Sequence, residues 1–252
     1  MDFRLTSEQE AIRKKAADFA KEYVEPVAAE LDEKAEFPHE NVKRMGELGF
    51  LGLPFPKEYE GGGTDYLSYA LVVEEIAKID ASTAIIVSAN TSLVGGPIYM
   101  YGTEEQKKKF LPDLASGRKI GAFCLTEPDA GTDASRLKAT AEDKGDYYLL
   151  NAHKKFITNG GIAGTYIVFA MTDKSKGVGG ISAFIVDGAS EGIRTGKLER
   201  KMGMRASQTA EMHFENVRVP KENLLGELGK GFDLAMGTLD GGRIGVGAQA
   251  LG

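Results

Sequence analysis

The residue types best suited to chemistry in this 252-residue chain fall in two short stretches, CLTEPDAGTDAS at 124–135 and FITNGG at 156–161. The first follows an apolar run, KIGAFCL, and leaves it through Thr126-Glu127-Pro128. Small residues and hydroxyls after such a turn expose backbone N–H groups and short donors, which suits an anionic or heteroaromatic ligand. The second sets an aromatic, an apolar and a hydroxyl residue before a glycine turn. An aromatic face beside a hydroxyl suits a flat ring, one group stacking and the other bonding an edge nitrogen. Taken alone, this second stretch reads better as a strand that simply ends in a turn.

Other chemistries find less support. GGRIGVG (241–247) and GVGG (177–180) are glycine-rich, but neither leaves a strand to open a helix within a βαβ unit, so neither reads as a dinucleotide fingerprint. GVGG reads as a turn. There is no Walker loop, no HExxH and no GxSxG. His39, His153 and His213 lie in three separate sequence contexts without metal-ligand spacing, so no metal site is expected. The single cysteine, Cys124, excludes an internal disulfide and suggests a reducing compartment, hence the cytoplasm.

A net charge of −6, from 31 basic and 37 acidic residues interspersed, leaves no basic stripe for nucleic acid. MDFRLTSEQE lacks the basic-then-apolar order of a signal peptide. The longest apolar stretch, ASTAIIVSANTSLVGGPIYMYG, is broken by polar residues and Gly-Gly-Pro, and reads as a buried helix and not a membrane span. Its Asn90-Thr91-Ser92 matches a glycosylation acceptor, read here as a chance match.

The elements that must position the two stretches follow from periodicity. Up to residue 117 the pattern is helical. Thr6 or Ser7 caps a first helix, with Gln9 or Glu10 completing a capping box and Ile12, Ala16, Phe19 and Tyr23 on one face. Pro26 kinks or ends that helix. A second helix is predicted over Glu40–Leu48, long apolar helices over about 66–79 and 82–100, and a last one after the cap Thr103, with Gln106 reaching back. From residue 118 the pattern alternates, with a Lys144-Gly145-Asp146 hairpin turn and several β-rich segments. After Lys230 it is helical again up to Gly252 with no stop signal, which reads as a helix cut short. The predicted class is α+β and multi-domain: an all-α domain at 1–117, an antiparallel β-barrel domain at 118–228, and the first helix of a C-terminal bundle at 229–252. No internal repeat or low-complexity linker is visible.

Several motifs, in order, resemble one family. FCLTEPDAGTDAS resembles the first signature of the acyl-CoA dehydrogenases, and FITNGG their flavin-flanking strand. KMGMRASQTAEMHFENVRVP (201–220) is similar to the sheet segment that follows, and LDGGRIGVGAQALG to the family's first long C-terminal helix. The likeness runs the length of the chain and is nearest to the bacterial short-chain, or butyryl-CoA, dehydrogenases. Arg136 departs from it, standing where the signature usually has a small residue.

The resemblance implies FAD as cofactor, lined by Phe123, Cys124, Leu125, Thr126, Gly131 and Thr132, with Thr126 on the flavin ring and Thr132 also near the acyl-CoA. Phe156, Ile157 and Thr158 would flank the isoalloxazine, Thr158 donating to its hydride-accepting nitrogen. Asp240, Gly241, Gly242 and Arg243 would contact the CoA portion. The implied activity is α,β-dehydrogenation of a short-chain acyl-CoA, with electrons passing to electron-transferring flavoprotein and a homotetrameric assembly. The family's base is a glutamate much further along, so Glu127 is read as structural and no catalytic residue is expected within the chain. On this reading the chain is an inactive fragment, with Leu234, Met236, Leu239 and Ile244 exposed on its last helix. The alternatives are an enoyl-CoA reductase or acyl-CoA oxidase on the same scaffold, or a non-catalytic flavin- or CoA-binding module.

Overall fold

In the computed structural model, which describes residues 3–252, Thr6 opens the first helix with the predicted capping box. Its hydroxyl accepts from the Gln9 N–H at 3.2 Å, and the Gln9 side chain accepts from the Thr6 N–H at 2.9 Å. Helix α1 (Ser7–Phe19) passes through a π-helical turn at 20–24 into α2 (Glu25–Lys34), whose first turn holds Pro26. A proline without an N–H cannot continue the ladder, and the wider turn before it absorbs the break. Residues 1 and 2 of the predicted helical domain lie outside the described residues.

Helix α3 (His39–Glu47) follows, then α4 (Tyr66–Ala77) and α5 (Ala81–Ser88). The single helix predicted over 82–100 is divided: α5 runs through a π-helical stretch at 89–95 into α6 (Gly96–Tyr101), again with a proline, Pro97, opening the new segment. In α7 (Glu104–Ala115) the second predicted capping box forms, and Gln106 does more than cap. Its amide also donates to the carbonyls of Glu222 and Leu224, at 2.7 and 2.8 Å, and so ties this helix to the far end of the sheet.

The sheet comprises β1 (Gly121–Cys124), β2 (Thr140–Asp143), β3 (Tyr147–Thr158), β4 (Thr165–Met171), β5 (Ile181–Asp187), β6 (Ile193–Leu198), β7 (Thr209–Pro220) and β8 (Leu224–Leu225). Its order is β6-β7-β3-β2-β4-β5-β8, with β1 branching from β4. Two features differ from a wholly antiparallel barrel. Strand β1 runs parallel to β4, β2 meets β4 through a parallel bridge at Thr140 and Met171, and the ladder path is open, ending at β6 and β8. The β2–β3 hairpin turns at Lys144–Asp146 as predicted, and GVGG belongs to the 3₁₀ connection Lys174–Gly180 between β4 and β5.

The last helix, α8 (Gly231–Leu251), is not a free arm. It packs against α4, α5 and the π-helical stretch, and over β5. The expectation of exposed Leu234, Met236 and Leu239 is corrected here: Leu234 is buried, and the other two pack on the sheet core. Ile244 is exposed as predicted, joined by Val246 and Leu251. Glycines make the close approach possible. A Cβ on Gly245 would lie 2.1 Å from the Tyr69 hydroxyl, and one on Gly242 would lie 2.7 Å from Leu93.

A second joint connects the helices to the sheet. Gly121 begins β1 with its N–H donated to the Asn90 side chain (2.9 Å), while its carbonyl accepts from the Asn159 amide (3.0 Å). Asn90 is fully buried and also donates to the Leu114 carbonyl, so its apparent glycosylation motif is an interior hinge pin.

Candidate functional site

The β3–β7 ladder shifts register first between Leu150 and Ala152 and again after Lys154, which faces Met212 on β7: the next registered pair is Ile157 with Ala210. The strand therefore carries an extra residue between Lys154 and Ile157, and a bulge of this kind bends the strand and re-aims a side chain. The side chain re-aimed is Phe156. It adopts a left-handed φ of 58° and is 58% exposed, with the Lys155 ammonium 5.2 Å from its ring centre. A bulky residue held in this conformation costs about 1–3 kcal/mol, and such strain collects at ligand clamps.

The exit of β1 is brought to the same place. The Lys155 N–H donates to the Thr126 carbonyl at 2.9 Å, which ties Thr126 to the residue immediately before Phe156. Beyond Thr126 the chain makes a tight turn, with Glu127 and Ala130 exchanging two backbone hydrogen bonds of 3.1 Å around Pro128 and Asp129. Gly131 and Thr132 then lie exposed, and a Cβ placed on Gly131 would meet nothing within 4 Å. Arg136 sits exposed in a short 3₁₀ turn at 134–136.

The other residues named from the sequence divide by side-chain direction. Thr126 and Thr158 are half-buried, and Phe123 is half-buried with its ring edge-on to Phe169 at 4.9 Å. Cys124, Leu125 and Ile157 turn their side chains into the core, which leaves only their backbone for any ligand. Burial also pushes the Cys124 thiol up to about 12, which leaves it protonated and unreactive near neutral pH. Asp240, Gly241, Gly242 and Arg243 sit apart on α8. Gly242 is a packing position against Leu93, the Gly241 carbonyl accepts from the Tyr66 hydroxyl at 3.4 Å, and Asp240 and Arg243 form an exposed ion pair.

Glu127 is buried and fully engaged. Its carboxylate accepts from the backbone N–H groups of Lys138 and Ala139 and from the Lys154 ammonium at 2.8 Å. Lys154 has no exposed surface and also donates to the carbonyls of Leu125 (3.2 Å) and Phe169 (2.7 Å). Burial draws its ammonium below the ordinary lysine range, opposed by the Glu127 charge. Glu127 is structural in the sequence reading, but Lys154, its partner in fastening the loop to β3, carries no role there. The available signal was a lysine in phase with Tyr148 and Leu150, the inward positions of β3.

The histidines, separate along the chain, do not all stay separate in space. His39 stays by itself, edge-on to Phe37, but His153 and His213 are registered partners on β3 and β7, and their rings stack at 4.3 Å. Spacing along the chain cannot show a pairing made across two strands.

The geometry finds its counterpart among known proteins. The profile of the acyl-CoA dehydrogenase N-terminal domain matches residues 6–118, and that of the family's middle domain matches residues 122–217. This chain belongs to the acyl-CoA dehydrogenase family. A short-chain specific acyl-CoA dehydrogenase of Clostridium acetobutylicum is 55% identical over 252 residues, covering all of this chain and 66% of the relative. The structure of butyryl-CoA dehydrogenase from Megasphaera elsdenii superposes with a TM-score of 0.97 at 53% identity, over 99% of this chain and 66% of that one. A chain in a structure described as the electron transferring flavoprotein of Acidaminococcus fermentans gives 0.98 at 57% identity, with the same coverage. This acyl-CoA dehydrogenase chain thus spans about two thirds of the length of the relatives it matches. None of its described helices is long and apolar enough to cross a membrane.

Proposed function

We propose that this chain forms the helical and sheet walls of an FAD-dependent, short-chain acyl-CoA dehydrogenase, which takes a butyryl-CoA-like thioester to its α,β-unsaturated product. The observation that carries this reading is the bulge in β3, which holds Phe156 outward beside the exit of β1. The residues present fit FAD: an exposed ring face for stacking, hydroxyls at Thr126 and Thr158, and an open backbone at Gly131 and Thr132. When bound, FAD supplies the two-electron acceptor that no side chain of the protein provides.

The chain's own part is binding and orientation. Phe156 covers one face of the flavin, Thr126 and Thr158 hold its polar edge, and Gly131 lets the backbone approach its phosphates. Thr132 and the Asp240–Arg243 segment meet the acyl-CoA, Arg243 pairing with its phosphates. The proton next to the thioester is weakly acidic and needs a carboxylate held beside it. Glu127 does not serve, because it is buried and its carboxylate is already taken up by the Lys138 and Ala139 N–H groups and the Lys154 ammonium. We assign that base to the third of the relatives' length that this chain does not span. Electrons pass to an electron-transferring flavoprotein, in keeping with the likeness to a chain from a structure of that name. The assembly is a cytoplasmic tetramer, the compartment resting on the single, buried thiol.

Titration of the purified protein with FAD, followed by the flavin spectrum, tests the binding. A bound, perturbed flavin is expected, and its absence counts against the site. Anaerobic butyryl-CoA tests the base: bleaching of the flavin by this chain alone would place a base within it and return Glu127 to candidacy.

A further inference from the structure

The outward face of the β3–β7 pair, immediately before the bulge, gathers three side chains that bind metals elsewhere. His153 and His213 face each other across the two strands, and Glu211 lies two positions before His213 on the same face of β7. One ring nitrogen from each histidine and one carboxylate oxygen lie within 4.8 Å of one another. The imidazoles stack at a 20° interplanar angle, and His153 Nε2 stands 3.6 Å from Glu211 Oε2, too long for a good hydrogen bond.

The surroundings organise this cluster. Lys155 Nζ approaches the other carboxylate oxygen, Oε1, at 3.4 Å, which leaves Oε2 turned to the histidine. Gly196 on β6 lies under His213, where a Cβ would come within 2.8 Å of Nε2, so the absence of a side chain there leaves the ring its place. Arg194, registered opposite His213, is drawn away into an ion pair with Glu215. The face stays accessible: His153 is exposed, and Glu211 and His213 are half-buried.

We propose that His153, Glu211 and His213 form a binding site for a divalent transition-metal ion of the zinc class. Two imidazoles and a carboxylate are the donor set such ions favour, and three protein ligands leave a position for water. A tetrahedral ion with bonds of about 2.1 Å needs donors roughly 3.4 Å apart, so side-chain rotation on the order of 1 Å closes the set. Since the ligands come from both strands beside Phe156, the ion clamps β3 to β7 where the bulge begins. The nearby Lys155 charge opposes the cation and keeps the affinity moderate.

The test is calorimetric titration of untagged, chelator-treated protein with Zn²⁺ near neutral pH, with Co²⁺ absorption as a second readout. One equivalent is expected, with an affinity that falls at least about tenfold in H153A and in H213A. H39A serves as the control and keeps the site. Lys155→Met leaves all three ligands and removes the opposing charge, so it tightens binding. The inference is overturned if the unsubstituted protein takes up no Zn²⁺, if H213A binds it as well as the parent, or if Lys155→Met loses it.

Discussion

Lys154 and Glu127 form an ion pair 2.8 Å long in the interior, between the loop that leaves β1 and the strand that carries Phe156. Two buried charges gain little net stability over a well-packed apolar pair, but removing one partner strands the other. Glu127→Ala should destabilise the protein by about 3–5 kcal/mol. The double variant Glu127→Gln, Lys154→Met should cost less than the sum of the single changes. Urea unfolding of the parent, Glu127→Gln, Lys154→Met and the double variant measures the coupling, and additive effects would show that the pair does not act as a unit.

Phe156 sets stability against binding. Phe156→Gly relieves a left-handed φ and should stabilise the unliganded protein by about 1 kcal/mol. The same change removes the stacking face and should weaken FAD binding roughly tenfold. Thermal unfolding and a flavin titration of one preparation check both signs together. A variant that loses stability while keeping its FAD affinity would contradict the role given to the bulge.

Two glycines of α8 make a matched comparison. Gly245→Ala drives a methyl into the Tyr69 and Ser88 hydroxyls and should cost about 1–3 kcal/mol. Gly247→Ala meets nothing within 4 Å and should stabilise by about 1 kcal/mol through helix propensity. Melting temperatures that move in the same direction would show that α8 does not pack as described.

Acid sensitivity follows from Glu75, which joins α4 to α1. Burial raises its pKa, but hydrogen bonds from Arg13 and Lys78 outweigh this and hold it below the usual carboxylate range. The unfolded chain therefore takes up the proton first, so the stability from Glu75 is complete above about pH 4.3 and is lost as pH falls through the folded value. Glu75→Gln should be less stable than the parent near neutrality by about 1 kcal/mol, and the gap should close on acidification. Denaturant midpoints measured across that range decide it.

Local grammar was legible in the chain, and partnership across it was not. The capping boxes at Thr6 and Thr103 and the Lys144–Asp146 turn are decided by residues three or four apart, and they form as read. The parallel pairing of β1 with β4, the stacking of His153 on His213 and the burial of Leu234 depend on segments distant in sequence, which periodicity does not order. At the site, FITNGG gave the residue types, but the left-handed Phe156 that turns its ring outward arises from the β3–β7 register. Lys154 shows the opposite case: its inward phase was visible, and its charge concealed it.

The Asn90–Gly121–Asn159 joint bears on how this chain can be recombined. Gly121 cannot accept a side chain, because a Cβ would lie 2.6 Å from Val94, and both of its backbone groups are held by amides contributed from either side of the junction. A chimera that splices a foreign sheet after residue 117 inherits half of that lock and exposes the mismatch at the first residue of β1. Exchangeable units in this scaffold therefore have to travel with Asn90, Gly121, Asn159 and Val94 as a matched set, and a crossover placed within the helical half, ahead of Asn90, should yield more folded hybrids than one placed at the apparent domain boundary.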